Sequence, residues 1–353
     1  MLPVIRLGKG HDFIWASLRS RKPLLILRPS AHCFTQGKAP KLVAPGLDAR
    51  PAQVARWTGA ASPLQGCRVL QSPTIPVLLQ RAPRLQRAEG AGRIQVRRAE
   101  GATRLARLYQ DGCAKIRLPT DHAARGLEAV LINTSGGLTG GDRMSWQVDA
   151  LEGAALTLAT QACEKVYRAR PSSQGDGEAR VAVTLNAGAG ARVDWLPQET
   201  ILFDGAALAR TLDAELAEGA SLLVAEAVIL GRTAMNETVR TGDLRDRWRI
   251  RREGRLVFAD DLRFSGEIDR LTARAPILDG ARAFASLLLV TDDAERFLPA
   301  LRAVMGGAGG ASAFDGKLFC RLAAPDGISL RRSLLPALKV LRDGAPCPRV
   351  WGL

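Results

Sequence analysis

Apolar and polar side chains alternate in short runs over the last three quarters of this chain, and this period of two constrains its fold most strongly. Trp248 and Ile250, for example, alternate with arginines. Successive side chains of a strand point to opposite faces, so the pattern is typical of half-buried β-strands. Residues 253–258 predict a tight turn and a returning strand, and residues 156–158 and 181–185 repeat the alternation.

Helical patterns occur mainly near the C-terminus. Phe297, Leu298, Leu301 and Val304 form one apolar stripe that ends at two glycines, and residues 334–341 form a second. Strands first and helices last favour a mainly β fold over alternating βαβ units.

Four glycines suggest a repeat, because each lies in a turn-like segment that precedes a strand-like run. Gly153, Gly188, Gly219 and Gly254 are separated by 35, 31 and 35 residues. This spacing predicts hairpins stacked in layers, as in a β-helix-like or solenoid-like fold. Chance spacing in a glycine-rich chain is the alternative.

Residues 1–80 differ from the rest. They hold 9 of the 19 prolines and 11 Lys or Arg against 2 Asp or Glu, whereas the remaining residues carry 39 against 33. We predict a disordered leader, or an extension from a start site placed too early, followed by a β-rich domain at 81–353. A basic leader can also resemble an organelle transit peptide.

Charge and cysteine usage narrow the class of protein. The net charge of +15 is concentrated in the first quarter, which argues against a nucleic-acid-binding surface. No run of about 18 apolar residues predicts a membrane span. The six scattered cysteines lack a CxxC pair, which predicts reduced thiols and a cytoplasmic protein.

The glycine-rich loop from Ser135 to Asp142 leaves two interpretations open. It lacks the lysine of a Walker loop, but its backbone could bind an anion in a hydrolase or transferase. The glycines otherwise permit positive φ and close packing between layers. A nucleophilic Cys163 or Cys113 would depend on His122 as its base.

Several carboxylates follow strand-like runs, and Glu226 lies within an apolar one. Burying such an acid is costly, so it must reach a polar partner, an open face or a water-filled passage. Oxygen donors without soft ligands suit weak, exchangeable contact with a divalent ion.

Five ordered segments of the sequence are distinctive: residues 131–142 (LINTSGGLTGGD), 160–168 (TQACEKVYR), 195–204 (WLPQETILFD), 230–232 (LGR) and 348–351 (PRVW). Together they resemble one family, the urease accessory proteins UreD (also called UreH). The residues that carry the resemblance are Gly136, Gly137, Gly140, Gly141, Thr160, Gln161, Tyr167, Trp195, Pro197, Gln198 and Arg232.

The resemblance implies a non-enzymatic accessory protein with a β-rich, roughly β-helical fold. The resemblance implies that such proteins join UreF-like and UreG-like partners and dock this assembly on apo-urease, and that they can form a homodimer within the complex. GTP hydrolysis is then expected in a partner. Nickel would pass transiently toward urease, with a channel in the UreD-like subunit as the implied route, so we expect no tightly bound cofactor. We also expect no nucleic-acid and no membrane partner.

Two sets of residues receive hypothetical roles on this basis. A polar nickel path, with Thr160 and Gln161 nearby, is assigned to Asp142, Glu164, Glu199, Asp204 and Glu226. Docking of a UreF-like partner is assigned to Leu334, Leu338 and Trp351, with packing onto the chain's own sheet as the alternative.

Overall fold

The computed structural model describes residues 86–119, 126–170 and 177–352, together with the backbone of two short strands before residue 15. The predicted leader, apart from those two strands, and His122 lie outside the described residues. Their assignments stay predictions.

Nineteen strands and three α-helices make up the described chain. The strands are β1 (Val4–Leu7), β2 (His11–Ile14), β3 (Glu89–Ala99), β4 (Ala102–Gly112), β5 (Ala114–Arg117), β6 (Leu127–Asn133), β7 (Arg143–Ala150), β8 (Ala155–Thr160), β9 (Glu164–Val166), β10 (Ala179–Ala187), β11 (Arg192–Trp195), β12 (Thr200–Leu202), β13 (Ala207–Leu216), β14 (Ser221–Leu230), β15 (Thr241–Arg252), β16 (Arg255–Glu267), β17 (Ala283–Val290), β18 (Gly309–Phe314) and β19 (Lys317–Ala324). The helices are α1 (Ile268–Thr272), α2 (Leu298–Met305) and α3 (Gly327–Leu341).

Two mixed sheets form the body. The seven-stranded sheet has the order β16-β15-β13-β10-β7-β3-β4. The ten-stranded sheet has the order β18-β19-β17-β14-β11-β8-β6-β5, with β9 and β12 attached beside β14. This confirms the mainly β fold, and β1 and β2 form a separate antiparallel pair.

The chain crosses repeatedly from one sheet to the other, as in a solenoid. β7, β10 and β13 lead through turns at Gly153, Gly188 and Gly219 into β8, β11 and β14. The strands on each side then pair in parallel with their counterparts. The predicted stacking is therefore present, but these three units are arches between two sheets rather than hairpins.

The fourth turn closes a true hairpin within the seven-stranded sheet. β15 and β16 pair antiparallel, and Glu253 and Gly254 join them with φ of 49° and 71°. Two successive positive φ values match the twist of a two-residue hairpin turn. The turn and returning strand predicted from the sequence are confirmed.

The ten-stranded sheet is the middle of three layers. One core lies between the two sheets, and a second lies between the ten-stranded sheet and helices α2 and α3. β17 is consequently buried on both faces along its full length. This explains why its sequence is apolar at every position but Ser286 instead of alternating.

The predicted apolar stripe on α2 is partly wrong. Phe297 belongs to a preceding 3₁₀ turn and the α-helix begins at Leu298, which shifts the phase of the stripe. Phe297, Leu301 and Met305 face the core at four-residue spacing, and Val304 is exposed. None of the helices in the described residues is long and apolar enough to cross a membrane.

Candidate functional site

Four of the five family-like segments meet at one end of the two sheets, which we call the motif end (residues 133–142, 160–168, 195–206 and 231–241). Backbone contacts join them in series. The N–H of Glu164 donates to the carbonyl of Glu199 at 3.0 Å, and that of Gly231 donates to the carbonyl of Leu202 at 2.7 Å. Segments far apart in the sequence therefore form one surface.

Close packing explains the glycine-rich loop. Gly137 has a φ of 142°, and a Cβ there would lie 2.5 Å from the Tyr167 ring. A Cβ on Gly140 would lie 2.4 Å from the carbonyl oxygen of Gly177. Gly136 and Gly141 also have positive φ. This supports the packing interpretation of the glycines.

An aromatic and cationic stack lies beside this loop. The Tyr167 hydroxyl donates to the carbonyl of Gly136 at 3.0 Å, and its ring meets Phe203 edge to face at 5.0 Å. The guanidinium of Arg232 lies 4.3 Å from the centre of the Phe203 ring and pairs with Glu237 at 2.8 Å. Two of the predicted motif residues are thus joined through Phe203.

The carboxylates of Asp142 and Asp204 stabilise the backbone around them by accepting hydrogen bonds from N–H groups. The two carboxylate oxygens of Asp142 accept N–H groups of Ala88 and Thr139 at 2.9 and 2.7 Å. Asp204 accepts the N–H of Arg240 at 2.8 Å and pairs with Arg168 at 2.5 Å. Burial would raise the pKa of Asp204, but the backbone N–H groups and Arg168 outweigh it and lower the pKa.

Glu164 is the acid of the motif end whose pKa lies near neutral pH. It is largely buried, and the Asn133 amide donates to its carboxylate oxygens at 3.1 and 3.2 Å. Burial raises the pKa of Glu164 to about 7, against the opposing hydrogen bonds. The carboxyl group therefore exchanges its proton near neutral pH.

Glu199 has an arginine partner from the last helix. Arg331 on α3 donates to its two carboxylate oxygens at 2.6 and 2.8 Å. Burial would raise the pKa of Glu199, but the bonds and charge of Arg331 outweigh it and lower the pKa. Arg331 also donates to Gln198 at 2.7 Å, so it connects two predicted residues.

Gln198 ties the 195–204 segment to the 160–168 segment. Its side-chain amide donates to the carbonyls of Thr160 and Gln161, and its backbone N–H donates to the Thr160 hydroxyl. Pro197 next to it is buried. Thr160 and Gln161 therefore lie near Glu199.

Glu226 lies between the two sheets, where its partners join it to the 195–206 segment. It pairs with Arg210 and accepts the indole N–H of Trp195 at 2.9 Å. Arg210 also pairs with Asp246 at 2.6 Å, and Asp246 accepts the indole N–H of Trp248. Burial raises the pKa of Glu226, Arg210 opposes it and Asp246 adds to it.

Comparison with known proteins identifies the family. The sequence model described as "UreD urease accessory protein" matches residues 88–352. A urease accessory protein UreD of Rhizobium etli is 56% identical over 273 residues, which are 77% of this chain and 98% of that protein. One of Agrobacterium fabrum is 50% identical over 288 residues, covering 82% and 96%.

The chain belongs to the UreD urease accessory protein family. The matched range includes every segment of the motif end and all three layers of the fold.

In the described part of this UreD-family chain, most backbone N–H groups of the glycine-rich loop are already bonded, which weakens the anion-site alternative. Ser135, Leu138, Thr139, Gly141 and Asp142 already donate their backbone N–H groups to acceptors within the chain, so these are not available to an anion.

The pKa shifts of the two cysteines argue against a nucleophilic thiol. Burial and the Glu199 carboxylate raise the pKa of Cys163 to about 11, the opposite of nucleophile activation. Burial likewise raises the pKa of Cys113.

The residues assigned to partner docking are buried in the protein core. Leu334, Leu338 and Trp351 belong to the core between the ten-stranded sheet and the helices. The indole of Trp351 donates to the carbonyl of Leu196 at 3.0 Å. Their side chains pack onto the chain's own sheet and, in this conformation, offer no docking surface.

Sequence reasoning missed Arg331, Arg210 and Asp246. The last two had a readable signal, because each is a charged residue at a core-facing position of an alternating strand. A charged side chain that points into the core needs a buried partner of opposite charge or a hydrogen-bonding group. Arg331 is on the last helix, 132 residues from Glu199, and nothing in its local sequence indicates that contact.

Proposed function

We propose that this chain is a urease maturation factor. It acts as a scaffold that joins UreF-like and UreG-like accessory partners to apo-urease and helps deliver nickel to the urease active site. Membership of the UreD urease accessory protein family is the observation that carries the proposal. Catalysis is left to the partners, with GTP hydrolysis assigned to the UreG-like protein.

The motif end suits a scaffold because it is held together by side-chain contacts across several segments. Arg232, Glu237, Asp204 and Arg168 link successive loops by ion pairs and backbone hydrogen bonds. Segments fixed in this way present the same surface to each partner without a folding cost on binding.

Nickel is the cargo in this proposal, and Glu164 is its favoured transient contact. Asp204, Glu199 and Glu226 are each paired with arginine, and Asp142 is occupied by two backbone N–H groups. Glu164 has a neutral amide as its side-chain partner. An oxygen donor that can be displaced suits passage, because a deep binding minimum would trap the ion.

In the described residues, no three His, Cys, Asp or Glu side chains form a group that could hold a metal ion. The proposed path therefore relies on successive single contacts. We assign no resident metal or cofactor to the chain.

The test replaces Glu164 by Ala in a strain that co-expresses urease and its accessory proteins. We expect urease of lower nickel content and activity, with the accessory complex still assembled. Glu218→Ala, at an exposed turn between β13 and β14, is the matched control and should activate urease like wild type. Full nickel loading in the Glu164→Ala strain would remove this residue from the path.

A further inference from the structure

β4 is an unpaired edge of the seven-stranded sheet. It pairs with β3 on one side, and no described strand pairs with its other side. An edge strand of this kind leaves alternate backbone N–H and C=O groups without partners. At eleven residues, β4 offers enough backbone for a full added strand.

A bulge gives β4 an apolar side. Its pairing with β3 skips Ala106, so Leu105 lies opposite Val96 and Leu108 lies opposite Ile94. Val96 and Ile94 are fully buried in the core between the sheets. Leu105 and Leu108, three positions apart, therefore both face the core side of the sheet.

These two leucines are nevertheless uncovered. Leu105 is 38% exposed and Leu108 is 39% exposed. The strand that faces β4 from the other sheet, β5, has only four residues, and the N–H of its Ile116 donates to the side chain of Gln110 on β4. The core-facing side of the seven-stranded sheet thus extends beyond β5, the edge strand of the ten-stranded sheet.

The opposite side of the same hairpin is basic. Arg93, Arg97, Arg104 and Arg107 point to that side, all are exposed, and none forms an ion pair with a described residue. Arg93 lies over the ring of Tyr109 at 5.5 Å. A strand placed next to β4 would meet leucines on one face and arginines on the other.

We infer that the outer edge of β4 binds an extended segment of a partner protein whose side chains alternate between apolar and acidic. The segment adds as an eighth strand. Its apolar side chains cover Leu105 and Leu108, and its carboxylates meet Arg104 and Arg107. The inference is independent of the proposed nickel path.

A second copy of this chain fits the same edge poorly. Antiparallel pairing of two β4 strands brings the arginines at 104 and 107 of both copies onto the same face. Like charges on adjacent strands destabilise a sheet. Charge complementarity therefore favours an acidic partner over self-association.

The test uses the full chain and a fluorescent nine-residue peptide that alternates glutamate and valine. We expect micromolar binding by fluorescence anisotropy, and slower amide hydrogen exchange within residues 102–112 when the peptide is bound. A peptide that alternates lysine and valine should bind at least tenfold more weakly. The double variants Leu105→Ser/Leu108→Ser and Arg104→Glu/Arg107→Glu should each weaken binding of the first peptide about tenfold.

Leu256→Ser is the matched control, because Leu256 is an exposed leucine on β16 at the opposite edge of the same sheet. It should bind the peptide like wild type. Equal binding of both peptides, or unchanged binding by the double variants, would overturn the inference. So would a fall of more than about 5 °C in the Tm of Leu105→Ser/Leu108→Ser, since the chain itself would then cover these leucines. A dimer that this variant abolishes would also overturn it.

Discussion

Glu164 and Glu199 lie on neighbouring segments of the motif end, yet their pKa values shift in opposite directions. Glu199 is buried and Glu164 is partly buried, and burial alone raises the pKa of a carboxyl group. Glu199 has the guanidinium of Arg331 beside it, whereas Glu164 has the neutral amide of Asn133. The difference in charge between the two partners contributes to keeping Glu199 ionised at neutral pH while Glu164 titrates near it.

This difference predicts a pH dependence that belongs to Glu164. Its pKa of about 7 in the folded chain lies above the value of 4.5 for an unperturbed glutamate. The folded state therefore holds the proton more tightly, and the resulting stability, present below about pH 4.5, is lost as the pH rises through about 7. In Glu164→Gln, the free energy of unfolding should therefore fall by about 1–3 kcal/mol less than in wild type as the pH rises through this range.

Urea unfolding of wild type and Glu164→Gln at pH 5, 6, 7 and 8 checks the prediction. The free energies of unfolding should change differently with pH in the two proteins. Parallel curves would mean that Glu164 titrates normally and is open to water.

Much of the fold at the level of single elements was predictable from alternation. The period of two gave β10, β15 and the hairpin at Glu253 because each of these strands has one core face and one outer face. The phase of α2 was not predictable, since the 3₁₀ turn before Leu298 changes which residues face inward. The contact of Arg331 with Glu199 depends on the third layer, which no local pattern encodes.

The corrected phase makes a prediction for the helices. Leu301→Ala, on the core-facing side of α2, should lower the free energy of unfolding by about 2–5 kcal/mol. Val304→Ala on α2 should change it by less than about 0.5 kcal/mol, because this side chain is exposed. Chemical denaturation of both variants measures the difference, and equal effects would contradict the assigned phase.

At the scale of the whole molecule, the two sheets are joined by buried charges as well as by apolar packing. Glu226 on the ten-stranded sheet meets Arg210 and Asp246 on the seven-stranded sheet. Both tryptophan indoles in this group donate to its carboxylates. A buried group of this kind fixes how one sheet sits on the other, because a displaced charge would lose its partner.

Replacing only Arg210 should therefore lower the stability of the fold more than replacing Arg210, Glu226 and Asp246 together. Arg210→Met leaves two buried carboxylates and should cost about 3–5 kcal/mol. The triple variant Arg210→Met, Glu226→Leu, Asp246→Leu should recover most of this, although the two indole N–H groups lose their acceptors. Thermal and chemical unfolding test the order of stability, and a triple variant less stable than Arg210→Met would contradict it.

The ion pair between Glu199 and Arg331 also has a consequence for biosynthesis. During synthesis, the chain must extend by 132 residues beyond Glu199 before the cation for that carboxylate exists. Until then that carboxylate has no arginine to neutralise it. Completion of the motif end is thus linked to translation of the final layer, and prematurely terminated chains would present an unfinished surface.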